Sequence, residues 1–139
     1  MKFLLDTCVI SEVVKRRPHR SVKNWLADCV EEDVYISVLT LGEIQKGISK
    51  LKDPVRENKL QDWLDNDIQE RFVGRVLPIS SETARAWGVL IGESERNGRM
   101  IPTIDGLLAA TAIVHRLCLV TRNTDHFSDL GMPVLNVWE

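Results

Sequence analysis

The sequence predicts an α/β fold in which helices cover both faces of a short, mostly parallel sheet. Two observations carry this prediction. Short apolar runs, which are typical of buried strands, alternate with longer stretches whose apolar residues recur at helical spacing. Such an alternation favours parallel strands, because a helix can return the chain from the end of one strand to the start of the next. We therefore expect a three-layer α/β/α sandwich.

Five segments have the length and composition of strands in such a sheet. They are short, rich in Val, Ile, Leu and Phe, and separated by the helical stretches. In chain order these segments are KFLL, VYIS, RVLPI, LCLVT and PVLNVW.

Helices are predicted between these strands. Three stretches, 21–30, 40–51 and 53–72, carry an apolar stripe on one helical face, and the third begins where Pro54 fits a first helical turn. A fourth, over 80–98, opens with a serine and a nearby glutamate and ends at Gly98. A fifth, over 103–117, is apolar on nearly all sides between Leu107 and Val114, so we expect it to be buried.

Length and composition indicate one globular domain over residues 1–139. No apolar run approaches the roughly 20 residues of a membrane span, and Asp6 interrupts the first run too early for a signal peptide. The three cysteines show no paired spacing, which favours reduced thiols in a cytoplasmic protein. A net charge of −2 argues against indiscriminate nucleic-acid coating but leaves room for a nuclease with an acidic site.

Polar side chains follow two of the predicted strands where the strands end. Asp6 follows the first strand, and the segment 121–125 follows LCLV. Ligand sites of open parallel sheets lie beyond the carboxyl ends of the strands, so both groups point to one edge. Asp6 is a candidate metal ligand there. Taken alone, this position is explained equally well by an aspartate that caps the next helix.

Three further acids are candidates, each with a simpler alternative. Asp105 lies at the start of the buried helix, where it could be a cap, yet its apolar surroundings would leave the charge in need of a counter-ion. Glu43 lies about 120° from the apolar stripe of its helix, and the simpler interpretation is a solvent-exposed side chain on the flank of that helix. Asp125 and Asn123 lie in a polar loop, where they are oxygen ligands or simply turn residues.

The remaining charged residues give weaker signals. His115 and His126 lack the partner spacing of a zinc site. A basic run near the predicted edge could bind phosphates, although such runs are commonly solvated surface: Lys15, Arg16, Arg17, Arg20 and Lys23.

Several carboxylates that converge on one sheet edge would repel each other without a cation. Ligands that are all oxygen select a hard ion, Mg²⁺ or Mn²⁺, over zinc. One or two such ions can assist the attack of water on a phosphodiester. The residues alone therefore make metal-dependent phosphodiester hydrolysis one of the functions open to this chain.

Four fragments in order resemble the PIN-domain family, in particular VapC-type toxins of bacterial toxin–antitoxin pairs. FLLDTCVISE, with Asp6, is similar to the first acidic motif of the family, and ISVLTLGEIQKGI, with Glu43, to the second. IPTIDGLLAATAIVHRLCLVTRNTDHF resembles the third and fourth motifs together, with Asp105 and the loop from Thr121 to Phe127. The resemblance covers essentially the whole chain.

This resemblance implies a PIN-like α/β/α sandwich and an endoribonuclease whose Mg²⁺ or Mn²⁺ is held by Asp6 and Asp105. Glu43 would complete the acidic pocket. It also implies a homodimer and a cognate antitoxin that plugs the site with a C-terminal segment. A structured RNA such as tRNA is the expected substrate. The residues expected to bind substrate, or to orient carboxylates and water, are Thr7, Thr121, Arg122 and Asn123.

One departure from the family pattern concerns the fourth acid. Many PIN domains carry an aspartate two residues after the threonine of the last motif, where this chain has Asn123. Relatives carry an acid just before the phenylalanine, where this chain has His126. Asp125 lies between these positions and is our candidate for the fourth catalytic acid.

Three other functions remain open at this point. The chain could be an aspartyl-phosphate phosphotransfer protein, although DTC lacks a second aspartate two positions on. It could be a PIN-like binding module without activity, or a PIN nuclease outside any toxin pair.

Overall fold

A parallel sheet of five strands forms the middle layer of the computed structural model, which describes residues 1–139. The strands are β1 (Phe3–Leu5), β2 (Val34–Ser37), β3 (Val76–Leu77), β4 (Cys118–Val120) and β5 (Val134–Leu135). Their order is β3-β2-β1-β4-β5, and every neighbouring pair is parallel. The first strand is therefore central, with the second and fourth on either side.

All five predicted strands are present, and β3 and β5 are reduced to two residues each. β3 ends before Pro78, because proline has no N–H to give to a strand ladder. β5 ends before Asn136, whose side-chain oxygen accepts a hydrogen bond from the backbone N–H of Trp138 at 2.9 Å and turns the chain.

Helices form the two outer layers. They are α1 (Thr7–Val13), α2 (Arg20–Asp28), α3 (Val38–Ser49), α4 (Pro54–Asp62), α5 (Gln69–Arg71), α6 (Ser81–Arg96) and α7 (Thr103–His115). The predicted helix over 53–72 comprises α4, a π-helical segment (Trp63–Ile68) and α5. No helix is both long enough and apolar enough to cross a membrane.

Two hydrophobic cores separate the layers, because successive side chains of a strand point to opposite faces. Leu5 lies in the core under the first five helices, together with Ile44, Ile48 and Phe72. Leu4 lies in the opposite core, which the last two helices cover. The structure thus confirms the predicted three-layer α/β/α sandwich.

The last helix is buried over much of its length, as its composition predicted. Gly106 and residues 108–112 of α7 are all buried, and Ile113 is partly exposed. All three cysteines are free.

Candidate active site

Asp6 lies at the carboxyl end of the central strand and is 7% exposed. Its carboxylate uses both oxygens. Oδ1 accepts a hydrogen bond from the backbone N–H of Thr7 at 2.7 Å, and Oδ2 accepts one from the Thr121 hydroxyl at 2.7 Å. The residue therefore caps α1, and it is also tied to the end of the neighbouring strand β4.

Burial raises the pKa of Asp6, and the nearby charge of Asp105 raises it further. Hydrogen bonds from Thr121 and Thr7 act in the opposite direction, but the net change is upward. No lysine or arginine forms an ion pair with this carboxylate. An ionised Asp6 would therefore be stabilised by a cation bound beside it.

Thr7 connects Asp6 to Glu43. Its hydroxyl donates to Glu43 Oε1 at 2.5 Å and lies 3.3 Å from the Thr40 hydroxyl. The helices α1 and α3 start directly after the neighbouring strands β1 and β2, so their first turns meet at one edge of the sheet. This arrangement brings the flank of α3 that carries Glu43 to the site, where the residue is half-buried.

Asp105 lies in the first turn of the buried helix α7, with 21% of its side chain exposed. It is near enough to Asp6 for the two charges to interact. Its Oδ2 lies 2.8 Å from His126 Nδ1. The histidine of the loop after β4 is thus the side chain that contacts this carboxylate.

The loop after β4 contributes Thr121 to the site, and its next residues face outward. Thr121 is buried, and its hydroxyl accepts a hydrogen bond from the Asn123 backbone N–H at 3.1 Å. Arg122 and Asn123 are exposed. Asp125 is exposed too, and its carboxylate forms no hydrogen bond or ion pair with the other three acids. The structure brings together Asp6, Glu43 and Asp105, and leaves Asp125 outside their contacts.

Two residues that the sequence interpretation missed hold this loop. Arg99 donates to the backbone carbonyls of Ser128 at 2.7 Å, His126 at 3.2 Å and Asp125 at 3.4 Å. His126 then reaches the carboxylate of Asp105. A histidine in a polar loop gave a weak signal, and Arg99 gave none, because its partners lie 26 to 29 residues away.

Two grooves flank Glu43. One, of about 270 Å³, lies where α1, α3 and α4 meet, and its polar lining includes Ser11, Lys15 and Arg56. The other, of about 410 Å³, lies on the opposite side of Glu43 and is lined by Leu39, Lys46 and Ile104, among others. Lys15 also pairs with Glu12 at 3.0 Å, and the other four residues of the basic run are exposed.

The donor chemistry of the site fits a hard divalent ion. Asp6 and Asp105 present carboxylate oxygens, and Asp6 has no cationic partner. No group of three or more His, Cys, Asp or Glu side chains lies close enough together to hold a metal ion. Mg²⁺ commonly binds one or two carboxylates and keeps several waters, and Asp6 and Asp105 offer donors of that type.

Comparison with known proteins identifies relatives over the full length of the fold. The PIN domain family model matches residues 3–132. The toxin FitB of Neisseria gonorrhoeae is 36% identical over 97% of both chains, and the VapC ribonuclease Y4jK of Sinorhizobium fredii is 33% identical over 98% of this chain and 97% of its own.

Solved structures agree with this relationship. The crystal structure of FitAcB from Neisseria gonorrhoeae superposes with a TM-score of 0.93 at 35% identity, over 99% of both chains. A toxin–antitoxin complex from Klebsiella pneumoniae superposes with a TM-score of 0.72 at 27% identity, over 99% of both chains.

Proposed function

The chain belongs to the PIN domain family, and we propose that it is the ribonuclease toxin of a toxin–antitoxin pair. The observation that carries the proposal is the convergence of Asp6, Glu43 and Asp105 at one sheet edge, with no lysine or arginine to neutralise Asp6. The relatives named as a VapC ribonuclease and a toxin support the same activity for this chain.

We propose that Asp6 and Asp105 hold a single Mg²⁺ or Mn²⁺. When bound, the ion would neutralise the charge that develops as water attacks the RNA phosphodiester. The protein fixes its two carboxylates beforehand: Thr121 and the Thr7 backbone orient Asp6, and His126 orients Asp105.

The other predicted site residues take positions around this centre. Glu43, held by the Thr7 hydroxyl, would orient the attacking water from the opposite side of Thr7. We propose that Asp125 acts as the fourth acid from the outer edge, and that Arg122 and Asn123 contact the substrate from their exposed positions. The groove of about 270 Å³ beside Glu43, with Lys15 and Arg56 in its lining, would offer the RNA strand a path to the carboxylates.

The proposed partners follow from the same assignment. We propose a cognate antitoxin that covers the acidic pocket, as the toxin–antitoxin complex from Klebsiella pneumoniae suggests by its similarity. We further propose a homodimer, an RNA substrate such as tRNA, and action in the cytoplasm, where three free cysteines stay reduced.

Cleavage of bulk RNA and tRNA by the purified chain tests this function. We expect discrete fragments with Mg²⁺ or Mn²⁺, none with chelator, and none from the Asp6→Asn and Asp105→Asn variants. Variants that cut as well as the wild type would identify the activity as a contaminant. A wild-type chain that binds RNA and the antitoxin but never cuts would indicate a binding module instead.

A further inference from the structure

A second buried carboxylate, Glu12 on α1, lies outside the acidic site. It is 4% exposed, and three donors surround it: Lys15 Nζ at 3.0 Å, the His19 backbone N–H at 3.1 Å and Trp138 Nε1 at 3.2 Å. A buried charge is costly unless it is paired and hydrogen-bonded, and Glu12 is both. Its contacts join α1 to the start of α2 and to the segment after β5.

These contacts fix the indole ring of Trp138. The backbone N–H of Trp138 is bound to the Asn136 side chain at 2.9 Å, and its ring nitrogen is bound to Glu12. The residue also packs against the core under α1–α5. A tryptophan held at both its backbone and its ring nitrogen presents one fixed face to its neighbours.

The guanidinium of Arg122 lies over that face, 5.5 Å from the ring centroid. Arg122 is the residue after Thr121, which donates to Asp6, and its backbone N–H reaches Cys8 Sγ at 3.5 Å. Its guanidinium takes part in none of the ion pairs of the chain. The hydrogen bond that Arg122 donates comes from its backbone N–H, so the N–H donors of its guanidinium remain free to bind a ligand.

We propose that Trp138 and Glu12 are positioning residues that hold Arg122 ready to bind a phosphate of the RNA strand beside Asp6. This inference rests on the proposed ribonuclease function and deepens it, because it names Arg122 as the residue that contacts the RNA phosphate backbone. A guanidinium binds a phosphate through two parallel hydrogen bonds, and an arginine already held over an aromatic ring loses less conformational entropy on binding.

The test measures binding of bulk tRNA by the whole chain in chelator, where no cleavage occurs, over a range of salt concentrations. We expect Arg122→Gln to weaken binding about tenfold. It should also lower the slope of log affinity against log salt by about one, the effect of one lost phosphate contact. Arg85→Gln, at an exposed position on α6, is the matched control and should change neither quantity.

A double-mutant cycle tests the positioning role. We expect Trp138→Leu to weaken RNA binding in the wild-type background and to add nothing in the Arg122→Gln background, because both changes remove the same contact. Trp138→Phe keeps the packing but loses the hydrogen bond to Glu12, so we expect the same pattern with a smaller loss of RNA binding. If the leucine variant does not fold, the phenylalanine variant provides the test.

The outcomes separate this inference from the function on which it rests. If the wild type cuts RNA but Arg122→Gln binds tRNA with unchanged affinity and salt slope, the inference is wrong and the function stands. If Trp138→Phe weakens RNA binding equally in the wild-type and Arg122→Gln backgrounds, Trp138 does not position Arg122. If the wild type neither binds nor cuts RNA, both proposals fail.

Discussion

At the scale of single residues, the site depends on a carboxylate placed where ionisation is costly. Burial and the charge of Asp105 raise the pKa of Asp6, and hydrogen bonds with Thr121, Thr7 and Cys8 oppose that rise only in part. A chain selected for stability alone would have no reason to keep this charge. We interpret the unfavourable burial as a consequence of the cation that the site is proposed to bind.

Replacing Asp6 with asparagine should therefore stabilise the metal-free chain while it abolishes cleavage. The amide keeps the size of the carboxylate, its oxygen can still accept from the Thr7 N–H, and the Thr121 hydroxyl can rotate to accept. We expect Tm in chelator to rise by about 3 °C, equivalent to roughly 1 kcal/mol. Cleavage with Mg²⁺ should fall more than about 100-fold, beyond the usual cost of losing a residue that only orients a ligand.

Thermal unfolding followed by circular dichroism, together with the RNA cleavage assay, measures both effects. Thr121→Val is a useful comparison, because it removes the hydroxyl and leaves the buried charge less well compensated, so Tm should fall. A lower Tm for Asp6→Asn in chelator would show that the ionised carboxylate stabilises the fold by itself.

The size of the cleavage loss on replacing Asp125 tests whether this residue acts as the fourth catalytic acid. Its side chain is exposed and makes no contact with Asp6 or Asp105, so it can act only at the margin of the site. We expect Asp125→Asn to reduce cleavage by less than about tenfold, against more than about 100-fold for Asp105→Asn. Steady-state cleavage rates at saturating Mg²⁺ compare the two. Equal losses would assign Asp125 a position inside the metal shell.

At the scale of elements, the packing of α7 on α6 sets the position of Asp105. Gly106, the next residue, lies against α6 so closely that a Cβ there would be 2.9 Å from Ile91 Cδ1 and 3.1 Å from Trp87 Nε1. That indole nitrogen is buried without a hydrogen-bond partner. The nitrogen edge of the ring is thus buried against α7, although Trp87 as a whole is partly exposed.

We expect Gly106→Ala to destabilise the chain by about 1 kcal/mol. An alanine in a helix normally gains roughly 0.5–1 kcal/mol over glycine, but here the methyl group must shift the end of the Ile91 side chain and the edge of the Trp87 ring, at a cost of about 1–3 kcal/mol. Gly92→Ala is the matched control, because a Cβ at Gly92 in α6 meets nothing within 4 Å. It should stabilise the chain by roughly 0.5 kcal/mol.

Urea unfolding of the two alanine variants gives their free energies of unfolding. Opposite signs for Gly106→Ala and Gly92→Ala would confirm that helix contact, rather than helix propensity, decides the result. A stabilised Gly106→Ala would mean that Ile91 and Trp87 adapt without cost.

At the scale of the whole molecule, the sequence predicted the elements and the fold class because both depend on local patterns. Apolar runs and helical periodicity located all five strands and most helices. The parallel topology then predicted that Asp6 and Thr121, at the ends of adjacent strands, point to one edge. Their hydrogen bond at 2.7 Å is a direct consequence of that topology.

Contacts that depend on the rotation of a helix or the path of a loop could not be predicted in this way. Periodicity placed Glu43 on a flank of α3, and only the packing of α3 on the sheet turns that flank toward Thr7. The approach of His126 to Asp105 depends on a loop that Arg99 holds through backbone carbonyls. The burial of Glu12 depends on Trp138, 126 residues away.

Glu12 also predicts how the stability of the whole chain depends on pH. Burial raises its pKa, but hydrogen bonds from Lys15, the His19 backbone and Trp138 outweigh burial and bring the pKa below its ordinary value of 4.5. An acid with a lowered pKa in the folded state contributes stability above its unfolded pKa, and this is lost as pH falls through the folded pKa. The contribution of Glu12 to the free energy of unfolding should therefore decrease on acidification below about pH 5.

The contribution of the Glu12 charge to stability is the difference in the free energy of unfolding between the wild type and the Glu12→Gln variant at each pH. Urea unfolding from pH 7 downward should show a wild-type advantage at neutral pH that shrinks as pH falls through the folded pKa of Glu12. Trp138→Phe, which removes one of the three donors, should lose part of this advantage at pH 7 and converge on the wild type in acid. An advantage for the wild type that stayed constant with pH would show that Glu12 acts through packing, because only the ionised carboxylate gains from these donors.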